Sequence, residues 1–584
     1  MALTALLAGA CTDSNYDLSN IDGTVGFSVE DLTVPINIDE VKLDGILDIE
    51  EGSILKKSTS DGSYYLLKEG TFGPSDKISI KKFTVKSPTI EKLENTLTLT
   101  LMTNAVKTRA AENGTLLAYY ALEANSKDIK THADNVDDHI DGIDSVSTEA
   151  SFTIDFLAKL GTSCIHSAHF EDVKLKMPKG VDITPSAAVK NWDKENGILE
   201  LNTIDLTASS NQTMHTTIDL DITGIDMQGN DEFLFAGHRF DVISNCQVLD
   251  GRLAIYSSDI NLNDLALVPQ NIDFILTPTL SDILVTECTG MAHYGIESLN
   301  VDPVEVNDIP DVLSQSGTKL GLANPQLYLS LNNPVHQYGL TAHARLSIQA
   351  EKNKEKGIET ESSPMTICDP VNYFVLSPKN PEKPYQYDNP EWVSFNTVNI
   401  LDCNGKGIPD KLYINVLDPE VPQQQFTKFP LGQDLEPVQG NYYFYAPVEL
   451  TENSVIHYGK TFDDWNKDGD LDKLYINKLT VRFNVTTDVP YELNVVIKPV
   501  EKISGKTLER DIIATAMVPA NAQGDEIVMT IEAPENDPIV SLDGITLTAD
   551  AAAKTEKPLS PDMNIKFSNV KATVTGMYID EDDK

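Results

Sequence analysis

The chain has 584 residues, with 45 basic and 89 acidic side chains and a formal charge of −44, long enough for several domains at ~150 residues each. A surface this acidic excludes an electrostatic grip on nucleic acid or anionic lipid, because both need a basic face to displace counterions. Hydrophobic and charged fractions of 41% and 23% exclude long-range disorder, and six cysteines are too few for a disulfide scaffold.

In chain order, the first feature is Leu3-Thr-Ala-Leu-Leu-Ala-Gly-Ala-Cys11. An apolar run ending in Leu7, Ala8, Gly9 and Ala10 before a single Cys resembles the end of a bacterial lipoprotein signal peptide. Small residues admit the peptidase, and the Cys11 thiol takes the diacylglycerol. No Lys or Arg precedes the run, which reads as a start placed downstream of the true one or as a trimmed chain. The competing reading is a buried N-terminal strand with a chance Cys. Residues 1–24 are therefore expected to be a signal remnant and polar tether. No stretch approaches the ~18 apolar residues of a membrane-spanning helix, so membrane contact is expected through a lipid anchor only.

The segments Tyr16-Asp-Leu-Ser-Asn-Ile-Asp22 and Val34-Pro-Ile-Asn37 open a wider resemblance. It continues through Met177-Pro-Lys-Gly180, Gly407-Ile-Pro-Asp410 and Phe444-Tyr-Ala-Pro447. In these segments the chain resembles a group of uncharacterised Bacteroidota cell-surface lipoproteins. The resemblance implies a lipid anchor in the outer membrane, a β-rich ectodomain and no established activity; none of its motifs carries a known chemistry.

Period-two alternation dominates the rest. Leu97-Leu99-Leu101, Val173-Leu175-Met177, Ile218-Leu220-Ile222, Val481-Phe483-Val485 and Ile527-Met529-Ile531 each place apolar side chains on one strand face. Asp61-Gly62, Asp141-Gly142, Asp250-Gly251 and Asp543-Gly544 read as turns between strands. The fold class expected is all-β, with several antiparallel β-sandwich-like modules and little helix. The helical exceptions are residues 104–125, broken at Asn113-Gly114, and a short capped helix around Asn307–Leu313 with Pro310 in its first turn. Divisions near residue 300 and in the proline-rich stretch give regions 25–300, 301–390 and 391–584.

Two neighbouring features stand apart. Six prolines lie between Pro364 and Pro390, accompanied by Tyr373, Phe374, Tyr385, Tyr387 and Trp392. Proline at this density cannot be woven into a central sheet, so these aromatics are candidates for an exposed ligand-binding loop. Tyr442-Tyr-Phe-Tyr445 reads instead as core. A strand motif also recurs: Asp402 to Asn415 aligns with Asp464 to Asn477, both ending Leu-Tyr-Ile-Asn, and Pro325 to Pro334 is a partial third copy.

In the second copy, Asp464, Asn466, Asp468, Gly469 and Asp472 occupy positions one, three, five, six and nine of a calcium loop, with Asp470 offering its carbonyl. A hard cation wants several oxygens from alternate residues of a tight loop. The twelfth position, where a bidentate acid belongs, is Tyr475. Calcium is therefore weighed against a turn whose side chains hold their own backbone. Cys164-Ile-His-Ser-Ala-His169 matches no standard zinc spacing, and residues 134–144 read as a solvated acidic loop. If Cys11 is lipidated, five cysteines remain, giving at most two bridges or isolated buried thiols.

No nucleophile elbow, zinc helix, phosphate loop or dinucleotide fingerprint is present in the sequence. The reading is a non-catalytic, structural or adhesive envelope protein that presents β-modules to a glycan or protein partner. The alternatives are a surface glycan hydrolase or an accessory subunit of one, which would show two carboxylates across a cleft, and a subunit of a larger envelope assembly, which would show exposed edge strands.

Overall fold

The computed structural model describes residues 25–34, 40–47, 49, 52–102, 114–296, 299–403, 406–452, 454–467, 469, 471–554 and 557–580. The chain is all-β, built from multiple antiparallel sheets. Among the described residues, helix is confined to single turns at Leu43–Ile46 and Asp311–Ser314 and two 3-10 segments. The second α turn is the one expected near Pro310, although no side chain caps it. The longer helix expected over 104–125 is not formed in its second half, where Leu116–Ala121 is a strand paired with Arg239–Tyr256 and Leu93–Leu101. Pairing with a strand on each side wins there over helix propensity.

The apolar sets behave as the period demands. Every position named above is buried except Leu101, at a strand end. Each fully buried Leu, Ile or Phe contributes about 1.5–3 kcal/mol, so these strand faces supply the driving force for the sheets.

Long strands knit the chain together. Ile140–Lys159 pairs on one side with Thr213–Asp226 and on the other with both Asn271–Leu280 and Ile283–Gly295. Lys411–Pro430 pairs with Ile283–Gly295 near its end and with Ala342–Lys352 near its start. The expected divisions near residue 300 and in the proline-rich stretch therefore run through sheets that cross them.

The C-terminal part is a two-sheet sandwich. Val25–Val34, Asn564–Asp580, Leu474–Thr487 and Gln523–Glu532 form one sheet. Val455–Phe462, Leu542–Ala553, Tyr491–Ile503 and Lys506–Glu509 form the other. The first described strand thus closes the C-terminal sheet.

Of the four Asp-Gly pairs, Asp61-Gly62 is a hairpin turn, with Gly62 at φ +74°. The other three lie inside strands. Gly251 sits at φ +142° at a register shift against Ser167–Lys176, with Leu122 and Val173 packed where a Cβ would go, so the expected turn is a β-bulge. At Gly544 a Cβ would collide with the Phe462 carbonyl oxygen; glycine is there because two backbones approach closely. Gly544→Ala is therefore expected to lower the unfolding free energy by about 1–3 kcal/mol. Gly295→Ala, where nothing lies near the added carbon, is expected within about 0.5 kcal/mol of wild type, both read from urea unfolding curves.

Candidate functional site

A six-stranded sheet runs in the order Leu55–Lys57, Tyr64–Phe72, Gly440–Pro447, Gln326–Asn332, Val371–Ser377, Glu391–Ser394. Its register assigns each side chain to a face. Leu329 lies opposite both Tyr442 and Phe374, and Leu376 opposite Val393. All five are buried in the main core. On the outer face, Tyr328 lies opposite Tyr443 and Val375, Ser330 opposite Tyr373, and Val375 opposite Trp392.

Phe374 is thus removed from the candidate binding set. It is 1% exposed, because it occupies a strand position of inward parity rather than the loop. The expected core reading of Tyr442 to Tyr445 splits the same way: Tyr442 and Phe444 point inward, whereas Tyr443 and Tyr445 are half-buried on the outer face.

The proline-rich segment lies over this outer face for a topological reason. Val371–Ser377 and Glu391–Ser394 pair in parallel, and parallel neighbours need a crossover of about a dozen residues or more. Residues 378–390 make that crossover with prolines in place of a helix. The Tyr385 backbone N–H donates to the Tyr328 hydroxyl at 2.7 Å, and that hydroxyl donates to Gln326 Oε1 at 2.6 Å. Tyr328 is fully buried beneath.

The rings then pack across the join. Tyr385 stacks on Tyr445 at 4.2 Å between centroids and 8° between planes, with Tyr65 at 5.4 Å from Tyr445. Tyr387 meets Tyr373 at 4.7 Å and Tyr328 and Tyr443 edge-on. Tyr387 and Asn389 hold left-handed backbone, φ +63° and +54°, a strained conformation for a tyrosine. Tyr373, Tyr385 and Trp392 remain 45%, 41% and 39% exposed. Burial, followed by the neighbouring Tyr443, pushes the Tyr387 hydroxyl up to about 12, and burial raises Tyr385 and Tyr445 as well. At neutral pH the face presents uncharged phenols able to donate and accept hydrogen bonds. Sequence reasoning found the loop tyrosines but missed Tyr65, Tyr443 and Tyr445, which come from distant strands.

The calcium-like loop is arranged differently. Asp468 and Asp470 lie outside the described residues. Asn466 is buried; its Oδ1 accepts from the Leu471 N–H at 2.9 Å and its amide donates to Asp472 Oδ1 at 2.6 Å. Its own N–H donates to Asp543 Oδ1 at 3.1 Å, and the Trp465 N–H to the Asp543 carbonyl at 2.8 Å. The Lys467 ammonium sits 3.0 Å from Asp464, where a dication would have to displace it. Among Asp464, Asn466 and Asp472 the arrangement is a turn closed on its own backbone and anchored by buried Asp543. Among the described residues no group of three or more His, Cys, Asp or Glu is placed to hold a metal.

The remaining motifs resolve into structural contacts. His169 Nδ1 lies 2.6 Å from Asp205, and Nε2 lies 3.1 Å from buried Asp259, which also accepts from Ser167. All five described cysteines are free thiols, and only Cys368 is exposed. In the acidic stretch, strand begins at Ile140, earlier than expected, and half-buried Asp137 accepts from the Lys81 N–H and His139. A polar hollow of about 420 Å³ is lined by Asp144, Asp182, Asp226 and Glu287. Asp182 pairs there with Lys194 and Glu287 accepts from Ser147.

Fold and face together define an all-β protein with a tyrosine-lined outer sheet surface. No protein-family model and no curated protein matches the chain. Among solved structures, the chain is similar to a "putative secreted protein" from Parabacteroides distasonis ATCC 8503, at 15% identity and a TM-score of 0.36, covering 50% of this chain and 90% of that one.

Two outcomes follow from these contacts. Asn466→Ala is expected to lower the unfolding free energy by about 1–3 kcal/mol through the unpaired groups it leaves, equally with calcium and with chelator, as read from urea melts. Burial alone would lower the His169 pKa, but hydrogen bonds and charge from Asp205 and Asp259 raise it above 6.5. Its stabilisation is complete below the unfolded value and lost as pH rises through the folded one. The stability advantage of wild type over His169→Asn should therefore shrink as pH increases above 6.5.

Proposed function

We propose that this is a non-catalytic, lipid-anchored envelope protein whose tyrosine face binds a neutral glycan. The observation that carries the reading is the set of exposed rings at Tyr373, Tyr385 and Trp392, backed by Tyr387, Tyr443 and Tyr445 and held by a crossover pinned to Tyr328. Rigid aromatics with two side-chain torsions lose little entropy on binding and bury large areas. Uncharged phenol hydroxyls suit sugar hydroxyls. A protein partner would use the same face and is the other outcome of the test.

Lipidation of Cys11 supplies the anchor in this reading, placing the protein in the outer membrane. No helix among the described residues is long and apolar enough to cross a membrane. Labelled fatty acid should enter the wild-type chain in its native host and fail to enter Cys11→Ser; equal labelling would remove the anchor.

For the face itself, the full chain carrying Cys11→Ser should retain a subset of neutral oligosaccharides on a glycan array. Tyr373→Ala and Trp392→Ala are each expected to weaken that binding about tenfold or more, the usual cost of a central aromatic contact. A blank array, or binding unchanged in the double variant, would contradict the proposal.

The assembly reading has one observation in its favour. Ile503, Leu508, Ile513 and Met517 are 41%, 47%, 56% and 62% exposed around the strands Lys506–Glu509 and Ala514–Val518. Such an apolar edge suits a second protein surface.

A further inference from the structure

The C-terminal sandwich encloses a cavity of about 180 Å³ between its two sheets. Three strands contribute consecutive inward positions to it: Val481, Phe483 and Val485; Leu493, Val495 and Ile497; and Leu547, Ala549 and Ala551. Tyr491 extends the middle set, so the lined length from Tyr491 to Ile497 is about 20 Å at 3.3 Å per residue. A space this narrow for its length is a slot rather than a globular hole. Leu547, Ala549, Phe567 and Val570 are only half-buried where they line it.

Its chemistry is one-sided. Among the described residues, no charged side chain lines it. Cavities of this size and apolarity stay dry and take up apolar guests. Well-packed cores do not leave such space, because each void forfeits contacts on every lining atom. Small Ala549 and Ala551 lie where larger residues would close it.

One polar group is out of place. Tyr491 lines the slot at 2% exposure, and its hydroxyl has no hydrogen-bond partner among the described residues. A buried hydroxyl without a partner costs about 1–3 kcal/mol, which a guest oxygen would recover where a small turn of the ring brings the hydroxyl to the slot wall. Burial, with the Glu449 charge second, pushes Tyr491 ionisation upward, so the group is a neutral donor. With no cation in the lining and Glu449 acting on that end, an anionic head is disfavoured.

We propose that the C-terminal sandwich is a binding site for a neutral, unbranched alkyl compound carrying one hydrogen-bonding oxygen, such as a medium-chain alcohol or ester, whose chain fills the slot and whose oxygen meets Tyr491. The site is independent of the tyrosine face and of its ligand.

The test uses the full chain with Cys11→Ser, so that no acyl group of its own competes, titrated with 1-decanol, decane and decanoate by calorimetry and by NMR of the labelled methyl carbon. Wild type should bind 1-decanol more tightly than decane or decanoate. Tyr491→Phe should abolish the advantage of decanol over decane. Ala549→Leu should weaken decanol at least tenfold without lowering the melting temperature, since it fills an existing void; Leu547→Phe reads the same block if the first variant does not fold. Absence of decanol binding to folded wild type, decanol bound no better than decane or decanoate, a decanol advantage that survives Tyr491→Phe, or binding that survives both blocking variants would overturn the proposal.

Discussion

The outer face of the six-stranded sheet depends on one parallel pairing, that of Val371–Ser377 with Glu391–Ser394. Parallel neighbours cannot be joined by a tight turn, so the chain must cross the sheet. A crossover helix would have hidden the face. Prolines forbid one, and the segment instead lies as an irregular, bent loop on the tyrosines, held through the Tyr385 N–H to Tyr328. The inner face of the same strands faces the main core. One sheet therefore supplies both the packing that fixes the strands and the surface that they display.

The same economy of strands carries sheets across residue 300 and across the proline-rich stretch. Lys411–Pro430 is long enough to belong to two neighbourhoods at once. Glycine at positions such as 251 and 544 lets backbones approach or bulge where these long strands meet. The C-terminal sandwich has its own buried cluster, from Leu474 to Val574. It also holds the apolar slot, which lies between sheets that the first described strand helps to build.

Much of the fold was legible because alternation is a local signal. Val481, Phe483 and Val485 are buried for the reason that their spacing announces. Asp250-Gly251 and Asp543-Gly544 misled because a turn and a bulge share the same residues, and only the partner strand decides between them. The candidate site was half legible. Tyr385 and Tyr387 could be singled out by the prolines around them, whereas Tyr65 joins them only through sheet order, across more than half of the chain. Phe374 differs from Tyr373 by one residue and therefore by one face, which no local composition reveals. In the Asp464–Asp472 loop the spacing of oxygens was visible, but Lys467 and Asp543, which satisfy several of its groups, were not part of the pattern.

The crossover is pinned to the sheet through Tyr328, making a rigid ring surface rather than a loose loop. Amide hydrogen exchange at Tyr385 tests it most directly, measured in wild type and in Tyr328→Phe. Slow exchange in wild type that becomes fast in the variant, with the flanking strands still protected, is the predicted result. Fast exchange at Tyr385 in the wild-type protein would contradict it.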